Sequence, residues 1–173
     1  MAPKSSSLMG GRNRAPLTDH AVRRAVDTFR KFNDQVNARY GVDGSTVFRV
    51  DYDESGSQFG EIVFGPDLYP GTGVANPNSV LSMEAAVAHE LTHHRRWLDM
   101  LAIDDSTLEH LDEALTSLQA VLYFQQHLNQ NDVRQLVSDA MGRLQLFIDE
   151  VLPTLRAETA EPETEGPPVE PGT

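Results

Sequence analysis

Cysteine is absent from the 173 residues of the chain. No disulfide framework can staple such a fold and no thiolate can hold a metal, which excludes a zinc finger. Basic residues are scarce as well. The 14 lysines and arginines face 26 acidic residues, a net charge of −12 with an isoelectric point near 4.8. That balance argues against a general nucleic-acid binder. No apolar run approaches the ~20 residues of a membrane span. The first 15 residues also lack the apolar stretch of a secretory signal. The expectation is a cytoplasmic protein that engages neither nucleic acid nor membrane. Aromatic residues make up only 7% of the chain, yet 39% of it is hydrophobic, enough for one domain with a core.

Both ends differ in composition from the middle. Residues 1–16 are rich in Ser, Gly and Arg and are expected to be a flexible segment. Residues 157–173 interleave Glu158, Glu161, Glu163, Glu165 and Glu170 with Pro162, Pro167, Pro168 and Pro171, a composition that cannot bury a core. This tail is expected to be disordered, leaving residues 17–156 as the domain. Within the domain, Thr18 is placed to cap a first helix over residues 18–40. Val22, Ala25, Val26, Phe29, Phe32 and Val36 would line its inner face. Residues 46–52 and 59–64 read as two strands joined by a turn at 53–57, and residues 65–78 as a Gly/Pro/Asn-rich loop. Three helices follow, over residues 81–101, 107–130 and 132–155. The last has Val133, Leu136, Val137, Met141, Leu144 and Ile148 on its apolar side.

The helix over residues 81–101 carries His89-Glu90-Leu91-Thr92-His93, an HExxH run. Residues four apart on a helix lie one above the other, about 5–6 Å between Cβ atoms. Two imidazoles so placed can bind one zinc ion at ~2.0–2.1 Å, and the glutamate between them can act as a base on zinc-activated water. A catalytic zinc needs a third protein ligand. Glu113 follows His93 by 20 residues, after a polar break at 103–106 where Ser106 and Glu109 spell a capping box. From His93 to the break is ~12 Å of helix and from Thr107 to Glu113 ~9 Å, so an antiparallel hairpin brings Glu113 level with the histidines.

Residues 88–117 resemble the gluzincins, the thermolysin-like zinc peptidases, whose HExxH is followed by a glutamate ligand on the next helix. The resemblance implies His89, His93 and Glu113 as ligands of one zinc per chain, with Glu90 as catalytic base. It implies an α+β fold: a compact zincin-like domain with a small antiparallel sheet on a mainly helical body. In such a domain an extended peptide pairs with an edge strand above the metal helix, here residues 59–64 or 68–74. Where the family places an aspartate four residues after the glutamate ligand, this chain has Ser117. Compact regulatory peptidases with HExxH and a downstream acidic ligand are a second resemblance.

Other residues compete for roles. Asp99 sits where metzincins place a third ligand, but Arg96 occupies the position of their helix-breaking glycine. On an unbroken helix Asp99 lies ~240° round from His93, facing away. His94 shares a face with Val87, Leu91 and Leu98 and reads as a packed histidine. His110, one turn before Glu113, reads as an exposed residue at a helix start. Tyr69, Tyr123 and Arg96 are candidates to stabilise an oxyanion, Trp97 to wall the site, and Thr116 and Ser117 to orient ligands. The expected function is that of a zinc-dependent peptidase acting on a peptide or protein substrate. The alternative is a regulatory or toxin-system protein that acts on, or binds, one specific partner.

Overall fold

The computed structural model describes residues 11–33, 35–42, 44–72 and 80–159. Of the two end segments, 1–16 and 157–173, residues 1–10 and 160–173 lie outside these. Thr18 caps helix α1, Asp19–Phe32, its side chain accepting from the Ala21 amide. The helix stops at Phe32, eight residues short of the expected end at residue 40. Asn33 turns into extended backbone and its side chain accepts from the Gln35 amide, a local bond that competes with the helical one. The chain then forms a strand, β1, Asn37–Tyr40, where a continued helix is expected. Val36 still reaches the core, but from outside the helix.

Strands β2, Val47–Tyr52, and β3, Gln58–Phe64, form the expected hairpin. The sheet is nevertheless mixed, not antiparallel: its order is β1-β3-β2, with β1 parallel to β3. Because β1 covers one side of β3, residues 59–64 form the central strand and not an edge. Segment 68–74 is no free strand either: Leu68 ends a 3-10 turn, Pro66–Leu68, and residues 73 and 74 lie outside the described residues. The open edge nearest the helices is β2.

The two faces of β3 carry different chemistry, as strand periodicity requires. Gly60, Ile62 and Phe64 turn to the helices, where Phe64 packs on Phe29 and Tyr40. A Cβ on Gly60 would lie 2.5 Å from the His94 ring and 2.8 Å from that of Phe48, so only glycine lets the sheet approach this closely. Glu61 faces the other way. It is 6% exposed and bonds Arg39 at 2.7 Å and Arg49 at 2.6 and 2.9 Å.

Helix α2, Met83–Leu98, is buried on most sides, and its run of Ala85, Ala86 and Ala88 permits close packing. Ser82 caps it and ties it to α4: the Ser82 hydroxyl donates to Asp132 at 2.6 Å and its amide to Gln135 at 2.7 Å. It ends at Leu98, before Met100, which takes the left-handed conformation at φ 55°. After a 3-10 turn, Ser106–Leu108, comes α3, Glu109–Phe124. The capping side chain is that of Asp105, bonded to the Thr107 amide and hydroxyl, instead of Ser106. Helix α4, Gln130–Leu146, opens on a capping box from Asn129 and Asp132, then passes through a π-turn, Phe147–Val151, into α5, Leu152–Thr159. The fold is α+β and mostly helical. Among the described residues no helix is long and apolar enough to cross a membrane.

The apolar face expected for the last helix is only partly turned inward. Leu136 is fully buried, but Met141 is 66% exposed and Ile148, in the π-turn, 50%, while Asp132, Gln135, Ala140 and Arg143 are buried. The apolar count alone misplaces this face because polar side chains take the inner positions.

Burial pushes the Glu61 carboxyl up, but the hydrogen bonds and charges of Arg39 and Arg49 outweigh it and hold the group below its usual range. A depressed carboxyl contributes stability above its unfolded pKa and loses it as pH falls through the folded one. Glu61→Gln should therefore cost about 1–3 kcal/mol near neutrality. It should also flatten the acid limb of the stability curve. Denaturant melts across pH 3–7 would test this, and parallel acid limbs for the two proteins would refute it.

Candidate metal centre

Helices α2 and α3 run antiparallel, as the contacts Arg96 to Asp112, His93 to Glu113 and His89 to Ser117 require. The consequence is close convergence. His89 Nε2 lies 3.1 Å from His93 Nε2 and 3.1 Å from Glu113 Oε2, and His93 Nε2 lies 3.3 Å from Glu113 Oε1. Ligands ~2.0–2.1 Å from a tetrahedral zinc are roughly 3.3 Å from one another. The three donors fit such an ion. They form the metal-capable group among the described residues, and they include no other candidate of the sequence.

The support behind these donors comes from α3 and α4. Ser117, fully buried, donates its hydroxyl to Asp139 Oδ2 at 2.6 Å. A carboxylate only accepts, so the Ser117 oxygen accepts a hydrogen bond from the protonated Nδ1 of His89, 2.8 Å away. That tautomer leaves the Nε2 lone pair facing His93 and Glu113. Arg143 closes the arrangement, giving Nε to Asp139 at 2.9 Å and Nη1 to Glu113 Oε2 at 3.2 Å. Ser117 thus stands between a ligand histidine and a carboxylate delivered from the next helix.

Electrostatics follow from this packing. Burial raises the Glu113 carboxyl, yet hydrogen bonds and charge from His89 and His93 prevail and hold it well below its usual range. Burial lowers the His93 imidazole, but Glu113 overrides it and the net shift is upward. Glu90 is different. Burial pushes its carboxyl up, and it makes no hydrogen bond or ion pair among the described residues.

These groups line a cavity of about 250 Å³, whose walls include His89, Glu90, His93, Glu113, Arg143 and Arg12, with Val47 and Phe48 at the start of β2 and Thr46 just before it. Thr46 is fixed by Asp67, which accepts from its amide at 2.8 Å and its hydroxyl at 2.6 Å.

Several sequence candidates lie elsewhere. Asp99 caps the end of α2 and pairs loosely with Arg95. His94 packs on Phe48 and Trp97, and burial lowers its imidazole. Tyr69 donates to the Ala21 carbonyl, Arg95 stacks over Tyr123, and Arg96 is held by Asp112, Gln119 and the Leu101 carbonyl. None of the three expected oxyanion donors borders the cavity, and neither does Trp97 or His110. Thr116 bonds the Asp112 carbonyl within its own helix. Arg12, Asp139 and Arg143 are absent from the sequence reading. For the latter two a signal existed: an Asp and an Arg four apart, on the same side of α4 as Leu136 and Ala140. Arg12 offered none.

No family model, no curated protein and no solved structure matches the chain.

Loss of a group that orients a ligand histidine typically lowers metal affinity about 10–100-fold. Ser117→Ala and Asp139→Asn should each weaken zinc binding by that order, read by competition with a chelating dye. Unchanged affinity in both variants would reduce Ser117 to a packing residue.

Proposed function

We propose that this protein is a zinc-dependent peptidase of zincin-like fold, hydrolysing a peptide bond with Glu90 as general base. The observation that carries the reading is the 3.1–3.3 Å spacing of His89, His93 and Glu113 beside a cavity that Glu90 also lines. These three residues would hold one zinc ion per chain. When bound, zinc supplies Lewis acidity, polarising a carbonyl and acidifying water toward a pKa of ~7.

The chain's own residues do the rest. Glu90 takes the proton of the attacking water and returns it to the leaving amine. Ser117 and Asp139 hold His89 in the tautomer that offers Nε2, and Arg143 fixes Glu113. An extended substrate backbone would run along β2, whose free edge borders the cavity, and not along the central strand.

A narrower reading, a regulatory or toxin-system protein acting on a single partner, draws support from the cavity's size. About 250 Å³ admits little more than a side chain or two.

Elemental analysis tests the proposal first. Wild type should carry about one zinc per chain and Glu113→Ala almost none. Glu90→Gln should keep its zinc yet lose peptide cleavage by about 10²–10⁴-fold. A wild-type protein that takes up no zinc after reconstitution would overturn both readings. Zinc retained without cleavage of a peptide library would favour the single-partner form.

A further inference from the structure

Arg12 reaches the cavity on a strap. Residues 11–13 run antiparallel to residues 69–71: Arg12 bridges Pro70, the Asn13 amide donates to the Tyr69 carbonyl at 3.0 Å, and the Gly71 amide donates to Gly11. A Cβ on Gly71 would stand 2.5 Å from the Gly11 carbonyl oxygen, so the strap seats this closely only against glycine. The Arg12 guanidinium donates Nη1 to the Leu81 carbonyl at 2.6 Å, at the start of α2. That bond uses one of its five donors.

The two arginines of the cavity are not equivalent. Arg143 is engaged by Glu113 and Asp139. Arg12 forms no ion pair among the described residues, and the carboxylates that influence it, Asp67, Glu90 and Asp139, act from a distance. Burial, the largest influence on Arg12, lowers its pKa. A partly desolvated cation without a paired anion is unfavourable, and tethering a strap to one carbonyl needs no guanidinium. The planar fork of an arginine suits a carboxylate.

We propose that Arg12 is the anion-recognising residue of this cavity and that the substrate presents a carboxylate to it, beside the scissile bond. The inference rests on the hydrolase reading and adds a substrate class. The carboxylate is either the C-terminus of a peptide or an acidic side chain.

The test uses the full chain with Glu90→Gln, loaded with zinc so that peptides bind without turnover. Calorimetric titration compares tetra-alanine as the free acid, the same peptide as its C-terminal amide, and an amidated peptide with one internal glutamate. One or both carboxylate-bearing peptides should bind at least about 10-fold tighter than the neutral amide, and which one does identifies the source. Adding Arg12→Gln should bring all three within about 2-fold while zinc content stays unchanged. Arg12→Lys should restore part of the preference. Equal binding of the three peptides, binding of none, or a preference that survives Arg12→Gln would overturn the proposal. So would an equal loss of kcat on acid and amide substrates in Arg12→Gln with Glu90 intact, which assigns Arg12 to the oxyanion. Zinc content, read separately on each sample, distinguishes failure of the metal site from failure of Arg12. If no zinc is bound, the same titration on metal-free protein decides the role of Arg12 alone.

Discussion

Five side chains form a closed circuit at the heart of this molecule. It runs from Glu113 to His89, Ser117, Asp139, Arg143 and back to Glu113, with each link between 2.6 and 3.2 Å. The circuit joins α2, α3 and α4, so it fixes their mutual register more tightly than apolar contact could. Apolar packing is non-directional and tolerates a slide. The directional bonds from His89 through Ser117 to Asp139 do not, and breaking the largely buried Asp139–Arg143 ion pair at their end costs about 3–5 kcal/mol. The circuit also dictates where the core can be. With polar residues on the inner face of α4, the apolar mass shifts to the other side of α2. There Phe29, Ile62, Phe64, Val87 and Leu91 are almost wholly buried.

This displacement of the core explains what could and could not be read from the chain. The convergence of His89, His93 and Glu113 was legible because it depends on local quantities alone. Helical rise, one polar break at 103–106 and an antiparallel return are enough to align them. The α+β class and the β2–β3 hairpin were legible for the same reason. Orientation of α4 was not. Apolar periodicity assumes that the whole apolar side faces in, and here Asp139 and Arg143 share the inner side with Leu136 while Met141 is left in solvent. Strand β1 was hidden by a different competition. Its residues follow directly on Val36, the last apolar position at helical spacing, and are extended by pairing with β3, from Asn37 with Glu61 to Tyr40 with Phe64. Tertiary pairing overrode local preference. Arg12 was beyond reach, because its position depends on a bridge to Pro70, nearly sixty residues away.

The unforeseen strand also changes how the cavity meets its surroundings. Had the sheet been a hairpin alone, β3 would have kept a free edge. With β1 in place, β3 is saturated over its C-terminal half, and β2 becomes the strand whose outer edge remains beside the metal-capable group. Gly60 allows the sheet to sit on His94 without a side chain between them. The His94 ring, packed by Phe48 and Trp97, acts as a spacer that sets the height of β2 above α2. The histidine that reads as a packed residue in the sequence thus positions the wall of the site.

Three buried ionic clusters can be compared within this one chain. Glu61 is met by two arginines, and Asp112 by Arg96 and the Ile103 amide. In both, the carboxylate is met by hydrogen-bond donors, and neither lines the cavity beside His89 and Glu113. The third is not closed in this way. Glu113 is met by two imidazoles and Arg143. Yet the His89 tautomer that satisfies Ser117 leaves an imidazole lone pair beside a second imidazole and a carboxylate, on the wall of a cavity. Bringing electron pairs together is unfavourable unless a proton or a metal ion is shared among them. A fold selected only for stability would place apolar side chains of similar volume there, at no loss. Retaining two histidines, three glutamates and two arginines around one small cavity is costly, and a bound cation with an anionic substrate would offset that cost.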